Sequence, residues 1–154
     1  MTESDELRRR LAVAEEAARA AGEVQRRYFG SRIAAEAKTS PQDLLTRADI
    51  EAQAAAKEVI CRAFPNETII GEEDGLPSDA LAAALAGACW LVDPLDGTQS
   101  YVHDFPFFGP GVAWVAGGVA QAGVAFLPVY GELFAAARSQ GATLNGRPIR
   151  VAPP

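Results

Sequence analysis

Apolar residues recur every three or four positions early in this chain and alternate with polar ones later on. Leu7, Leu11, Ala14, Ala18, Ala21, Val24 and Tyr28 form one helical stripe, so a first helix is predicted from a cap at Ser4 or Asp5 to Phe29, with Gly30 as its stop. Arg and Glu cover its other face, and Arg8-Arg9-Arg10, balanced by Glu6, Glu15 and Glu16, reads as solvated. Residues 33–38 suit a short strand, broken by Thr39-Ser40-Pro41. A second, alanine-rich helix follows Asp43-Leu44-Leu45-Thr46-Arg47-Ala48-Asp49, with Ile50, Ala54, Val59, Ile60 and Ala63 as its apolar positions, and Pro65-Asn66 ends it.

Thr68-Ile69-Ile70 then reads as a buried strand closing on Gly71-Glu72-Glu73-Asp74-Gly75, and residues 78–85 as a short helix. Trp90-Leu91-Val92 is a second buried strand, stopped at Asp93 because Pro94 lacks an N–H and fixes φ. From Phe107 onward short strands alternate with turns, and Gly117-Gly118 and Asn145-Gly146 are two-residue hairpin signals. Such short connections predict an antiparallel meander. The expected class is α+β: one domain over residues 1–154, an antiparallel meander sheet with two long N-terminal helices packed on one face.

Composition adds exclusions. A net charge of −6 offers no basic surface to displace counterions from nucleic acid. The charged first turns are not a signal peptide, and no apolar run is long enough to span a bilayer, so no membrane contact and a cytoplasmic, reducing location are expected. Cys61 and Cys89 are then buried free thiols. With His103 they supply too few soft ligands for zinc. Trp90 and Trp114 read as core, and His103 as a residue in an ordinary structural hydrogen bond.

The chemistry gathers where the two buried strands end. Asp93 and Asp96 can point the same way from one turn, and adjacent carboxylates need a cation or a proton. Taken alone, the stretch is equally a solvated Asp-Pro/Asp-Gly turn; Asp43 and Asp49 are equally a turn residue and a first-turn helix acid. A second strand delivering Glu72 to the same sheet edge favours the cation. Glu72, Asp93, Asp96 and the Leu95 carbonyl make an oxygen-only ligand set suited to Mg2+. The plausible reaction is attack of an activated water on a phosphoryl group. The Gly97 and Thr98 N–H groups are placed for phosphate oxygens, with the Thr98 hydroxyl between the water and a carboxylate.

These stretches, with Tyr101-Val102-His103, Phe105-Pro106-Phe107-Phe108, Gly141-Ala142 and Asn145-Gly146, resemble in order the inositol monophosphatase-like, lithium-sensitive phosphatases. The resemblance implies that Glu72, Asp93, Leu95 and Asp96 bind Mg2+. It implies that Thr98, supported by Asp49 and Glu72, activates the water. Glu72, Leu95, Asp96, Gly97 and Thr98 would then meet a small phosphorylated alcohol such as inositol monophosphate. A nucleotide bisphosphate, histidinol phosphate or sugar phosphate are alternatives. Members of that family are longer and carry a later Trp-Asp-x-Ala motif whose aspartate completes the metal site. Neither Trp90-Leu91 nor Trp114-Val115 supplies it, so an N-terminal lobe without its C-terminal partner lobe is expected. An open sheet face would favour self-association into a homo-oligomer, and a catalytically incomplete, metal-binding module is the competing function.

Overall fold

The first helix begins at a reciprocal cap. Thr2 Oγ1 accepts the Asp5 N–H at 3.2 Å while the Asp5 carboxylate accepts the Thr2 N–H at 3.1 Å. In the computed structural model, which describes residues 2–29, 36–37, 44–45 and 47–152, this helix is α1, Glu3–Tyr28. Ala14, Ala17, Ala18, Ala21, Gly22 and Val24 form its buried stripe. Small side chains there let the second helix, α2 (Arg47–Ala63), lie close. Gly30, Asp43 and the 39–41 break lie outside the described residues. Of the expected 33–38 strand, β1 (Glu36–Ala37) is seen, antiparallel to β2 (Leu44–Leu45).

Three side chains depart from the sequence reading. Arg10 is buried, not solvated. Both its terminal nitrogens bond Glu67 at 2.6 Å, and the guanidinium stacks 3.8 Å from the centre of the Trp114 ring. Glu67, three residues past Phe64, also accepts the Trp90 indole N–H at 2.7 Å, so one carboxylate ties α1 to the sheet. Ile50 is 53% exposed, because the α2 stripe runs through Ala48, Ala52, Ala56, Val59 and Ile60, and Ile50 falls midway between Ala48 and Ala52, on the far side of the helix. Cys61 is exposed on the same outer face, while Cys89 is buried.

The main sheet has seven strands in sequence order: β3 (Thr68–Gly71), β4 (Ala88–Asp96), β5 (Gly109–Ala116), β6 (Val119–Leu127), β7 (Glu132–Ala137), β8 (Gly141–Leu144) and β9 (Arg147–Ile149). From β4 onward it is the expected antiparallel meander, with both hairpin dipeptides in left-handed backbone (Gly117 φ 58°, Gly118 φ 73°, Asn145 φ 49°, Gly146 φ 77°). The β3–β4 pair differs: it is parallel, because α3 (Ser78–Ala86) carries the chain back across the sheet. Both long helices pack on one face, over Trp90, Val92, Val112, Val124, Leu133 and Ala135. The other face is covered by α3 at one edge, over Ile70, Cys89 and Val115. Across β6–β9 it carries an apolar hollow of about 510 Å³ lined by Ala125, Phe134, Ala136, Ala142 and Ile149 among others. Among the described residues no helix is long and apolar enough to cross a membrane.

Candidate active site

Parallel pairing places the ends of β3 and β4 side by side. Gly71 sits opposite Val92, so Glu72 and Asp93 are the next residues of each strand. Their carboxyls are hydrogen-bonded to each other, and the Asp96 charge also reaches Asp93. Burial, then the charge of Glu72, push the Asp93 carboxyl up to about 7. β4 does not stop at Asp93 as Pro94 suggested. Its pairing resumes at Asp96, opposite Gly109, with an irregularity between Asp93 and Asp96. The missing Pro94 N–H falls inside that bulge, where the ladder asks nothing of it. The Leu95 N–H turns back to donate to Asp93 Oδ1 at 3.0 Å.

Glu72 is held by neighbours that sequence reading missed. It opens a single 3-10 turn, Glu72–Asp74. Asp74 Oδ2 accepts the Gly71 N–H at 2.7 Å, and Gln53 Oε1 accepts the Glu73 N–H at 3.0 Å. Burial works against the Asp74 carboxylate, but the Lys57 ammonium and the Gly71 N–H hold it below the usual carboxylate range. Gln53 packs so tightly that a Cβ on Gly71 would lie 2.0 Å from its Oε1. The available signal was local: Asp74, three residues after Gly71, can bond back to its N–H.

Gly97 (φ 83°) turns the chain into α4 (Thr98–Val102). Thr98 is thus the first residue of the helix and not its cap, and its hydroxyl donates to the Leu95 carbonyl at 3.0 Å instead of to a carboxylate. Asp49 lies buried in the first turn of α2, 1% exposed, within electrostatic range of Tyr101. The Tyr101 phenol is pushed up by burial and by that charge. His103 is exposed at the end of α4, where its backbone N–H donates to the Gln99 carbonyl. A cleft of about 280 Å³ adjoins the acid turn, lined by Asp93, Asp96, Gly97, Ser100, Phe107 and Gly111 among others.

The structure therefore sets Glu72 against Asp93, brings the Asp96 charge to bear on Asp93, and sets Thr98 against Leu95. Among the described residues, no group of three or more His, Cys, Asp or Glu side chains is placed to hold a metal ion. Glu72 and Asp93 instead meet through a proton, the other way to relieve paired carboxylates. The donor set still suits a hard divalent cation: carboxylate and carbonyl oxygens only, one carboxyl driven up by its neighbours' charge. Proton and cation would compete for the same oxygens.

A pH dependence follows. Asp93 holds its proton more tightly folded than unfolded, so its contribution to stability is complete below about pH 4, the ordinary carboxyl value, and is lost as pH rises through about 7. Melting followed in EDTA is expected to show Tm falling across that window, and saturating Mg2+ is expected to remove the fall above pH 7. A pH-independent Tm in EDTA contradicts the buried-pair geometry.

The model of the inositol monophosphatase family matches residues 6–154. An inositol monophosphatase of Mesembryanthemum crystallinum is 39% identical over 141 residues, covering 92% of this chain and 52% of that protein. A histidinol-phosphatase of Chlorobaculum parvum is 36% identical over 142 residues, covering 92% and 52%. Among solved structures, the IMPase of Thermotoga maritima superposes with a TM-score of 0.82 at 32% identity, covering 93% of this chain and 54% of that one. The chain spans about half the length of the curated relatives it matches.

Proposed function

The chain belongs to the inositol monophosphatase family, and from that membership and the acid turn we propose that it is the metal-binding N-terminal lobe of a Mg2+-dependent phosphomonoesterase. One observation carries the reading: parallel pairing of β3 and β4 sets Glu72 against Asp93 beside a cleft that also holds Asp96. Separate solvated turns would leave their acids apart. Small phosphorylated alcohols are the substrate class, with inositol monophosphate and histidinol phosphate as the first two to try. A cytoplasmic setting and self-association through the bare face of β6–β9 belong to the same reading.

Glu72, Asp93, Asp96 and the Leu95 carbonyl would hold the cation. When bound, Mg2+ supplies positive charge that offsets the phosphate and makes water a better nucleophile. The protein's part is positioning. Gly97 lines the cleft and leads into Thr98 at the start of α4, and their N–H groups would be the ones to meet ester oxygens there. Thr98, with Asp49 and Glu72, orients the water for in-line attack on phosphorus, and the alcohol leaves opposite. The hydrogen bond from Thr98 to the Leu95 carbonyl holds the hydroxyl beside the acid turn.

Phosphate release from a panel of monoesters, with and without Mg2+, tests the reading; no Mg2+-dependent release from any of them, by a chain that also fails to bind Mg2+, would sink it. Thr98→Ala is expected to lower turnover about 10²-fold, the lower end for a positioned proton-transfer group. Mg2+ affinity should change by no more than about threefold, since Thr98 is not itself among the cation's ligands and the acids keep their places. Unchanged turnover removes Thr98 from the reaction.

A further inference from the structure

Gln25 stands on the buried stripe of α1 between apolar neighbours and is completely buried. A polar amide in such a place needs a partner. Its Nε2 donates to the Pro94 carbonyl. Its backbone carbonyl accepts the Tyr101 hydroxyl at 2.9 Å as well as the helical N–H of Phe29 at 2.9 Å. Pro94 and Tyr101 flank the segment containing Leu95, Asp96, Gly97 and Thr98. One residue of α1 thus grips the acid turn from both sides.

The grip reaches the carboxylate through a single peptide plane. The Pro94–Leu95 peptide receives Gln25 at its carbonyl end and donates from its N–H end to Asp93 Oδ1 at 3.0 Å. Hydrogen bonds in series through an amide polarise one another, and two anchors stop the plane from rotating. The orientation of that plane sets where the Asp93 carboxylate points and where the Leu95 carbonyl begins. Meanwhile Gln25 Oε1 is buried and accepts no hydrogen bond among the described residues. An apolar side chain would avoid that penalty, so the donor end is what the fold uses.

We propose that Gln25 is a positioning residue for the cation site, holding the Pro94–Leu95 peptide so that Asp93 and the Leu95 carbonyl face the same point. The inference rests on the cation reading of the acid turn. Gln25→Met is the informative variant: it keeps the length, removes the unpartnered acceptor and cannot donate. Tyr101→Phe loosens the opposite side by one hydroxyl while keeping the ring contacts with Phe29 and Phe108.

The test is calorimetric titration of Mg2+ into the full chain, with melting of each variant in EDTA. Wild type is expected to bind, and Gln25→Met to bind about three- to tenfold more weakly, the worth of one hydrogen bond. Its Tm in EDTA should stay within about 3 °C of wild type, because one orphaned buried group replaces another. Tyr101→Phe should weaken binding in the same direction. Unchanged affinity in Gln25→Met, whether or not Tm falls, overturns the role of Gln25 and leaves the cation reading standing. Should Gln25→Met fail to fold, unchanged affinity in Tyr101→Phe overturns it instead. A wild-type chain that takes up no Mg2+ overturns the cation reading and this role with it.

Discussion

Asp93→Asn is expected to abolish the response to Mg2+ and to leave the metal-free protein more stable than wild type near pH 8. Both effects have one cause. Asp93 is pressed between burial and the charges of Glu72 and Asp96, which push its carboxyl up to about 7. Above that pH three acids repel with nothing between them, so the neutral amide relieves the folded state. The same amide removes the anionic oxygen nearest the centre of the group. Loss of an outer-shell partner of a bound metal costs roughly 10–100-fold in affinity or activity, and loss of a direct ligand should exceed that. Melting of both proteins at pH 8, with EDTA and with excess Mg2+, reads the two effects together. A variant that gains Tm on adding Mg2+ as wild type does would remove Asp93 from the site.

Gly109→Ala is expected to be the most damaging single change to the fold. Gly109 begins β5 directly opposite Asp96. A Cβ there would lie 1.7 Å from the Phe126 carbonyl oxygen and 2.8 Å from its carbonyl carbon. These are backbone atoms of β6, so no rotamer can yield, and the strands must part beneath the acid turn. A loss of about 3–5 kcal/mol is the scale for an unavoidable core clash, lowering Tm by about 10 °C for a chain of this length. Gly123→Ala is the control. Its Cβ would meet nothing nearer than 3.8 Å, and a change within about 0.5 kcal/mol is expected. Equal melting of the two variants would contradict the strand packing described for β5 and β6.

Much of this architecture was legible in the residues because it rests on local rules. The α1 stripe, the two glycine-containing hairpins and the end of β3 all follow from periodicity and turn chemistry. Glu72 and Asp93 could be paired from sequence because β3 closes on a glycine and Pro94 marks where β4 leaves its regular ladder, although that strand runs on to Asp96. What was not legible depends on contacts far along the chain. Arg10 looked solvated because its partner, Glu67, lies 57 residues away. Ile50 looked like core because alanines recur on both sides of α2, and only packing against α1 and the sheet selects the Ala48, Ala52 and Ala56 side over the Ile50 and Ala54 side. The bulge that carries β4 past Pro94 needs Gly109 opposite Asp96. Gln25 drew no reading from sequence, since nothing beside it shows that Pro94, 69 residues on, waits for its amide.

The central claim is that the acids ending β3 and β4 share one cation. A crystal of this chain grown with Mn2+ in place of Mg2+ tests it most directly, by the anomalous signal of the ion. The account predicts one peak touched by Glu72, Asp93 and Asp96 together with the Leu95 carbonyl. No peak at saturating Mn2+, or a peak bound by one of these acids with the others turned to solvent, would contradict it.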